Sequence, residues 1–363
     1  MINILFISTL FPILVIAIIY FLMPNLIPKN LQFGVRIPPE YYNAKIIGTL
    51  IKFYRLAVLI ITILIIIGLY FTYSLEGIYL VFLEILLYFI NYYIFRRVLI
   101  NTKVKNHWYT NQNEVLVAEI EEKPQKIKYN MFIWSIPSIV MVLIAIIILI
   151  YVYPSLPAII PTHFNDNGVA NGWENKSPFN VSTIILLMAG MTILFYLLAV
   201  VILKTHKEID PSNPELSSKQ EQKFKIIMSK MIVVLGWFTN LTFLFMNLQI
   251  WEIWKPSSGS ILVLIGPVFA GVIIVVIASV YTGAHGSRLK FNIPQNQSNI
   301  VMRDDDKYWI AGAIYFNRED KSLLVQKRYG IGWTINMGNF FAWFIILIII
   351  LIVLVPVLFV ISK

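Results

Sequence analysis

The chain has 363 residues, of which 58% are hydrophobic and 13% charged, and 29 Lys and Arg against 19 Asp and Glu leave a formal net charge of +10. Soluble domains carry about 25% charged residues, so this composition excludes an ordinary soluble enzyme and predicts an all-α integral membrane protein. Cysteine is absent, which removes disulfides, thiol nucleophiles and thiolate metal sites from consideration.

A hydrocarbon core of about 30 Å takes roughly 20 helical residues to cross. Eight apolar runs approach that length, at residues 2–23, 56–73, 78–95, 131–153, 181–203, 231–251, 261–281 and 339–361. The first lacks a basic leader and a small-residue cleavage site, so it reads as a retained span. The second and third are short and separated by Ser74-Leu75-Glu76-Gly77, which predicts a tight turn and an antiparallel helix hairpin. Four regions follow: a three-helix region at 1–130, a helix pair with its connecting loop at 131–203, a further membrane region at 204–281, and a final module with the last helix at 282–363.

Basic residues in short loops stay on the cytoplasmic side. The loops after the first, third, fifth and seventh spans hold 26 of the 29 basic residues, leaving Lys176, Lys255 and Lys363 for the other side. Both termini and the loop between spans four and five are therefore expected at the outer face of the membrane. The basic loops are accounted for by topology, so direct nucleic-acid binding is not expected.

Ionisable groups inside a bilayer are costly. Glu84 in the third span shares a helix face with Tyr88 and Asn91, at spacings of four and seven residues, and the sixth span carries Asn240 and Asn247. Interhelical hydrogen bonding explains these residues. A polar path through Glu84, Asn240 and Asn247 that carries an ion or small molecule is the rival reading. Gly190, Gly236 and Gly271 read as close-approach positions, and Pro137, Pro267 and Pro356 as bends.

The phosphate-loop, zinc-helix and nucleophile-elbow signatures do not occur. His107, His163, His206 and His285 stand singly, so neither catalytic residues, a metal centre nor a cofactor is expected. An envelope enzyme using His163 and Asp166 as acid and base is permitted by spacing alone.

The segment 161–178 is dense in polar and turn-forming residues between two apolar spans. Pro154, Pro157 and Pro161 keep its entry from being helical, Asp166-Asn167-Gly168 and Asn171-Gly172 form turns, and Pro178 ends it. A compact turn or small hairpin is predicted. Phe164 and Trp173 are suited to anchoring it at an interface. His163, Asn165, Asp166 and Lys176 offer donors and acceptors, either to an external ligand or to the loop itself.

Before the last span, 309–316 and 322–327 have strand-compatible composition and are separated by Asn317-Arg318-Glu319-Asp320-Lys321, which predicts a small cytoplasmic β-hairpin. Gly330 and Gly332 turn the chain back to the membrane. Asp304-Asp305-Asp306 lacks the spacing of a calcium loop and reads as a solvated acidic run.

These residues carry a resemblance. Leu156-Pro157-x-x-Ile160-Pro161-Thr162-His163-Phe164-Asn165, followed by Gly168, Gly172-Trp173 and Lys176, resembles the motif of a bacterial domain of unknown function found in SdpI-type membrane proteins. Asp306-Lys307-Tyr308-Trp309-x-x-Gly312-x-x-Tyr315-Phe316-Asn317 and Lys327-Arg328-Tyr329-Gly330-Ile331-Gly332-Trp333-Thr334-x-Asn336 are similar to a short cytoplasmic module that accompanies the first in Gram-positive bacteria. Phe33-Gly34-Val35-Arg36-Ile37-Pro38 resembles another recurring element of such proteins. The resemblance implies immunity to a secreted antimicrobial peptide, and signalling in which the membrane protein holds a transcriptional repressor. The chain departs from that pattern in lacking the C-terminal helices with a Gly-Tyr-Arg-Thr-type motif, so repressor capture follows less directly than membrane defence. The partners expected are thus the lipid bilayer, an extracellular peptide ligand and a cytoplasmic regulator.

Overall fold

The structure is a computed structural model that describes residues 4–72, 77–109, 114–115, 129–165, 169–205, 209–210, 213–255, 257, 260–292, 301–302, 304–347 and 350. In chain order the long helices are α1 (Ile4–Leu26), α2 (Lys45–Thr72), α3 (Gly77–Lys105), α4 (Phe132–Val152), α5 (Pro178–Lys204), α6 (Pro214–Ile250) and α7 (Ser260–Thr282). Each is long and apolar enough to cross a membrane. The protein is therefore a mostly helical membrane protein with seven such helices among the described residues. Of the eighth expected span, 340–347 are helical and most of the remainder lies outside the described residues.

Several helices outrun their apolar cores. α2 and α3 are 28 and 29 residues long, not short spans, because both continue through basic ends that hydropathy alone does not register. α6 likewise starts at Pro214, well before the apolar run at 231–251. Pro178 and Pro214 open their helices at the position where a missing N–H costs nothing. The Asn180 amide donates to Ser177 Oγ at 3.1 Å and caps α5.

The chain divides into two compact units: Met1–Pro124, Thr205–Lys223 and Tyr281–Lys363 in the first, Gln125–Lys204 and Phe224–Val280 in the second. In the first, α1, α2 and α3 pack together. α2 buries Ile47, Leu50, Tyr54, Val58, Thr62, Ile65 and Leu69, one stripe at helical spacing. Its other face exposes Leu64, Ile67 and Phe71, as lipid-facing residues do. α2 and α3 form the expected antiparallel pair; Gly77 belongs to α3, and residues 73–76 lie outside the described ones.

In the second unit α4 packs on α5, and Ala145, Val181, Ile185, Met188 and Trp251 share a core. Gly236 lies against the Phe195 ring, and Gly271 against Leu235 and Phe238. These two glycines do allow the close approaches that their positions suggested.

Strands are short. β1 (Glu114–Val115) pairs in parallel with β4 (Val301–Met302), and β2 (Ile159–Phe164) pairs antiparallel with β3 (Ala170–Asn175). Near the C-terminus, β5 (Trp309–Ile310) pairs with β6 (Ile314–Tyr315), and β7 (Leu324–Gln326) with β8 (Trp333–Ile335), both antiparallel. The single hairpin expected between 309–316 and 322–327 is thus replaced by two smaller ones. Ala311 and Gly312, at φ of 50° and 73°, already turn the chain inside the first segment, and Gly330 and Gly332, at 101° and 110°, turn it after the second.

Candidate functional site

The β2–β3 hairpin pairs Ile160 with Glu174, Pro161 with Trp173, His163 with Gly172 and Phe164 with Ala170, and its register shifts on both sides of His163. The bulge leaves both Thr162 and His163 exposed. A Cβ at Gly172 would lie 2.9 Å from that of His163, so glycine is what gives the histidine its room. His163 Nδ1 lies 2.5 Å from Asn171 Oδ1.

The other loop residues divide by role. The Asn165 amide donates to Val169 O at 2.8 Å, and the Val169 amide donates to Asn165 Oδ1 at 2.9 Å, so Asn165 closes the turn. Lys176 Nζ donates to Leu156 O at 2.9 Å and lies 4.7 Å from the centre of the Tyr153 ring; it fastens the stem. Phe164 is half-buried, whereas Ile159, Val169 and Trp173 are more than half exposed. Asp166 lies outside the described residues. His163 and Trp173 are therefore exposed, as are the aliphatic Ile159 and Val169 of the same hairpin.

In the first unit, α3 turns Glu84, Tyr88 and Asn91 inward as their spacing implies; all are buried. Tyr88 Oη lies 2.8 Å from Glu84 Oε1 and 2.6 Å from Thr62 Oγ1 on α2. Asn91 Nδ2 donates to Tyr54 O at 3.3 Å. Glu84 Oε2 has no hydrogen-bond partner among the described residues. In the second unit, Asn240 Nδ2 donates to Thr192 Oγ1 at 2.7 Å, and Asn247 Nδ2 lies 3.5 Å from Met188 Sδ. Each asparagine thus ties α6 to α5.

The acidic run Asp304–Asp306 is not the solvated segment its composition suggested. Lys103 Nζ lies 2.8 Å from Asp304 Oδ2 and 2.7 Å from Asp306 Oδ2, Arg36 Nε lies 3.1 Å from Asp305 Oδ1, and Arg328 pairs with both Asp305 and Asp306. The three cations are almost fully buried, and a buried charge persists only when paired. Burial is the largest influence on Asp305 and pushes its carboxyl up, but Arg36 and then Arg328 outweigh it and hold the group well below the usual carboxylate range. At Asp306 burial is again opposed, by Arg328 and Lys103, with the same net direction.

This ion cluster fastens the C-terminal module to the Phe33–Pro38 element. The Arg36 amide donates to Asp306 Oδ1 at 3.0 Å, and Arg96 donates to the Gly34 carbonyl. Gly34 and Gly312 both have positive φ, and a Cβ on either would run into Tyr92 Oη. Tyr329 stacks on Tyr92 with ring centres 3.6 Å apart and is hydrogen-bonded to Tyr54. Within the module Asn336 is fully buried: its Nδ2 donates to the carbonyls of Asn317, Asp320 and Ser322, and its Oδ1 accepts from the amides of Asn317 and Gly338. The sequence reading missed Arg36, Lys103, Arg328 and the tyrosines 20, 54, 92 and 329. The available signal was an arginine next to a glycine-containing turn in both Phe33–Pro38 and 327–332, opposite in charge to three consecutive aspartates.

Two family models match the chain. A domain of unknown function (DUF1648) matches residues 140–189, which take in the later part of α4, the β2–β3 hairpin and the start of α5. A family of unknown function (DUF5808) matches residues 318–343, which take in β7, β8 and Asn336. Neither match spans half of the chain. No curated protein and no solved structure matches.

Proposed function

We propose that this membrane protein gives immunity to, or senses, an envelope-active antimicrobial peptide, with the β2–β3 hairpin as its outer recognition element. The observation that carries the reading is the division of labour in the hairpin. Asn165 and Lys176 are used up in holding it together, whereas His163, Trp173, Ile159 and Val169 are left at its surface. An exposed aromatic, exposed aliphatic groups and a polar ring on one small hairpin are suited to an amphipathic peptide. The resemblance of the motif around His163 to SdpI-type proteins supports the same reading. The C-terminal module, fastened to α1–α3 by the ion cluster, would be the part that passes the response to a cytoplasmic regulator.

His163→Ala and Trp173→Ala test this in cells challenged with peptides secreted by neighbouring strains. Loss of protection at normal membrane abundance is the expected result; unchanged protection by both variants would remove the hairpin from the site. A second reading, passage of an ion or small molecule, is favoured by the unpartnered Oε2 of buried Glu84. Against it, Asn91, Asn240 and Asn247 are each engaged in a hydrogen bond that ties neighbouring helices together.

A further inference from the structure

Glu84 is not used by the peptide reading, and its hydrogen bonds admit two arrangements. Tyr88 has one hydroxyl hydrogen and lies within hydrogen-bond distance of both Glu84 Oε1 and Thr62 Oγ1, while Thr62 Oγ1 lies 2.8 Å from the Val58 carbonyl. With Glu84 ionised, Thr62 donates to Tyr88 and Tyr88 donates to Glu84 Oε1; Oε2 has no partner among the described residues in either arrangement. With Glu84 protonated on Oε1, Glu84 donates to Tyr88, Tyr88 to Thr62, and Thr62 to Val58 O; every hydrogen has an acceptor in both arrangements, and only the protonated one leaves no uncompensated buried charge. One proton entering at Glu84 reverses two hydrogen bonds and completes a third.

The groups facing this site are Tyr20 from α1, Thr62 from α2 and Tyr88 from α3, with Tyr54 and Tyr329 next along. Among the described residues no cation pairs with Glu84. Tyr20 touches both ends of the arrangement: its ring centre is 4.8 Å from that of Tyr88 and 6.1 Å from that of Tyr329 in the C-terminal module. One aromatic side chain thus lies between Tyr88 and the module.

We propose that Glu84 is a proton-exchanging site among α1–α3, and that Tyr20 couples its protonation to the seating of the C-terminal module. The step is one proton in or out of the carboxyl group, with no bond to carbon made or broken. The test uses the full chain in lipid nanodiscs. Infrared difference spectra between acidic and alkaline buffer should show a carboxyl C=O band that is absent from Glu84→Gln and shifted in Thr62→Val. In parallel, amide exchange of residues 323–336, corrected for intrinsic rate, should change several-fold with pH above about pH 5, where the aspartates of the ion cluster stay ionised. That dependence should vanish in Glu84→Gln and weaken in Tyr20→Leu. A band that survives in Glu84→Gln, or an equal pH dependence of exchange in wild type and Glu84→Gln, would overturn the proposal. Should Glu84→Gln fail to fold, Glu84→Asp should retain a displaced band, and an unmoved band would count against the site.

Discussion

Replacing Arg328 by Met removes the central cation of the cluster while keeping most of its apolar volume. Arg328 is 2% exposed, pairs with Asp305 and Asp306, donates to the Gly34 carbonyl at 3.4 Å and lies 5.2 Å from the centre of the Trp309 ring. Truncating one partner of a buried pair costs about 3–5 kcal/mol. Here Asp305 and Asp306 keep 31% and 15% exposure and retain Arg36 and Lys103, so about 3 kcal/mol is the expected loss, or roughly a hundredfold in the seating equilibrium of the module. Amide exchange of residues 323–336 in nanodiscs reads this directly. In a double-mutant cycle with Asp306→Asn the coupling should be about 1–2 kcal/mol. Exchange within about twofold of wild type, or additive effects in the cycle, would refute the view that these charges hold the module.

Acid should release the module only well below neutrality. Because Asp305 and Asp306 titrate below their unfolded values, their contribution is present above about pH 4 and is lost as pH falls through the folded values; Trp309 fluorescence against pH checks this. Gly312→Ala, at a φ of 73° and with its Cβ driven into Tyr92 and Arg96, should cost about 2 kcal/mol or more and lower the thermal midpoint. Asn336→Ala frees five backbone groups at once, and should expose 317–323 to rapid exchange. Asn165→Ala, which removes the acceptor for Val169 N–H, should cost about 1 kcal/mol and reduce abundance, unlike His163→Ala.

Much of the helical architecture was legible in the chain because apolar runs of this length follow directly from the demands of a bilayer. The span boundaries were less so: Lys45, Arg55, Arg96 and Lys103 lie within α2 and α3, and a helix that continues into water looks like a loop on a hydropathy scale. The turn-rich segment 161–178 announced its hairpin through proline and Asn-Gly spacing. Which of its side chains would be spent on the loop was not readable, since Asn165 and His163 can each both donate and accept and only the register decides what they meet. The ion cluster was misread for a related reason. Asp304–Asp306 and Arg36 are about 270 residues apart, and composition carries no information on which distant charges meet.

The proposed role is protection against, or sensing of, an envelope-active peptide. The most direct measurement is the sensitivity of a strain lacking the gene to a broad panel of secreted peptides, with wild type, the deletion and a complemented deletion grown side by side. The account predicts hypersensitivity to at least one peptide, restored by the wild-type gene and not by Trp173→Ala at equal abundance. Unaltered sensitivity across the panel, with growth or solute uptake changed instead, would contradict it.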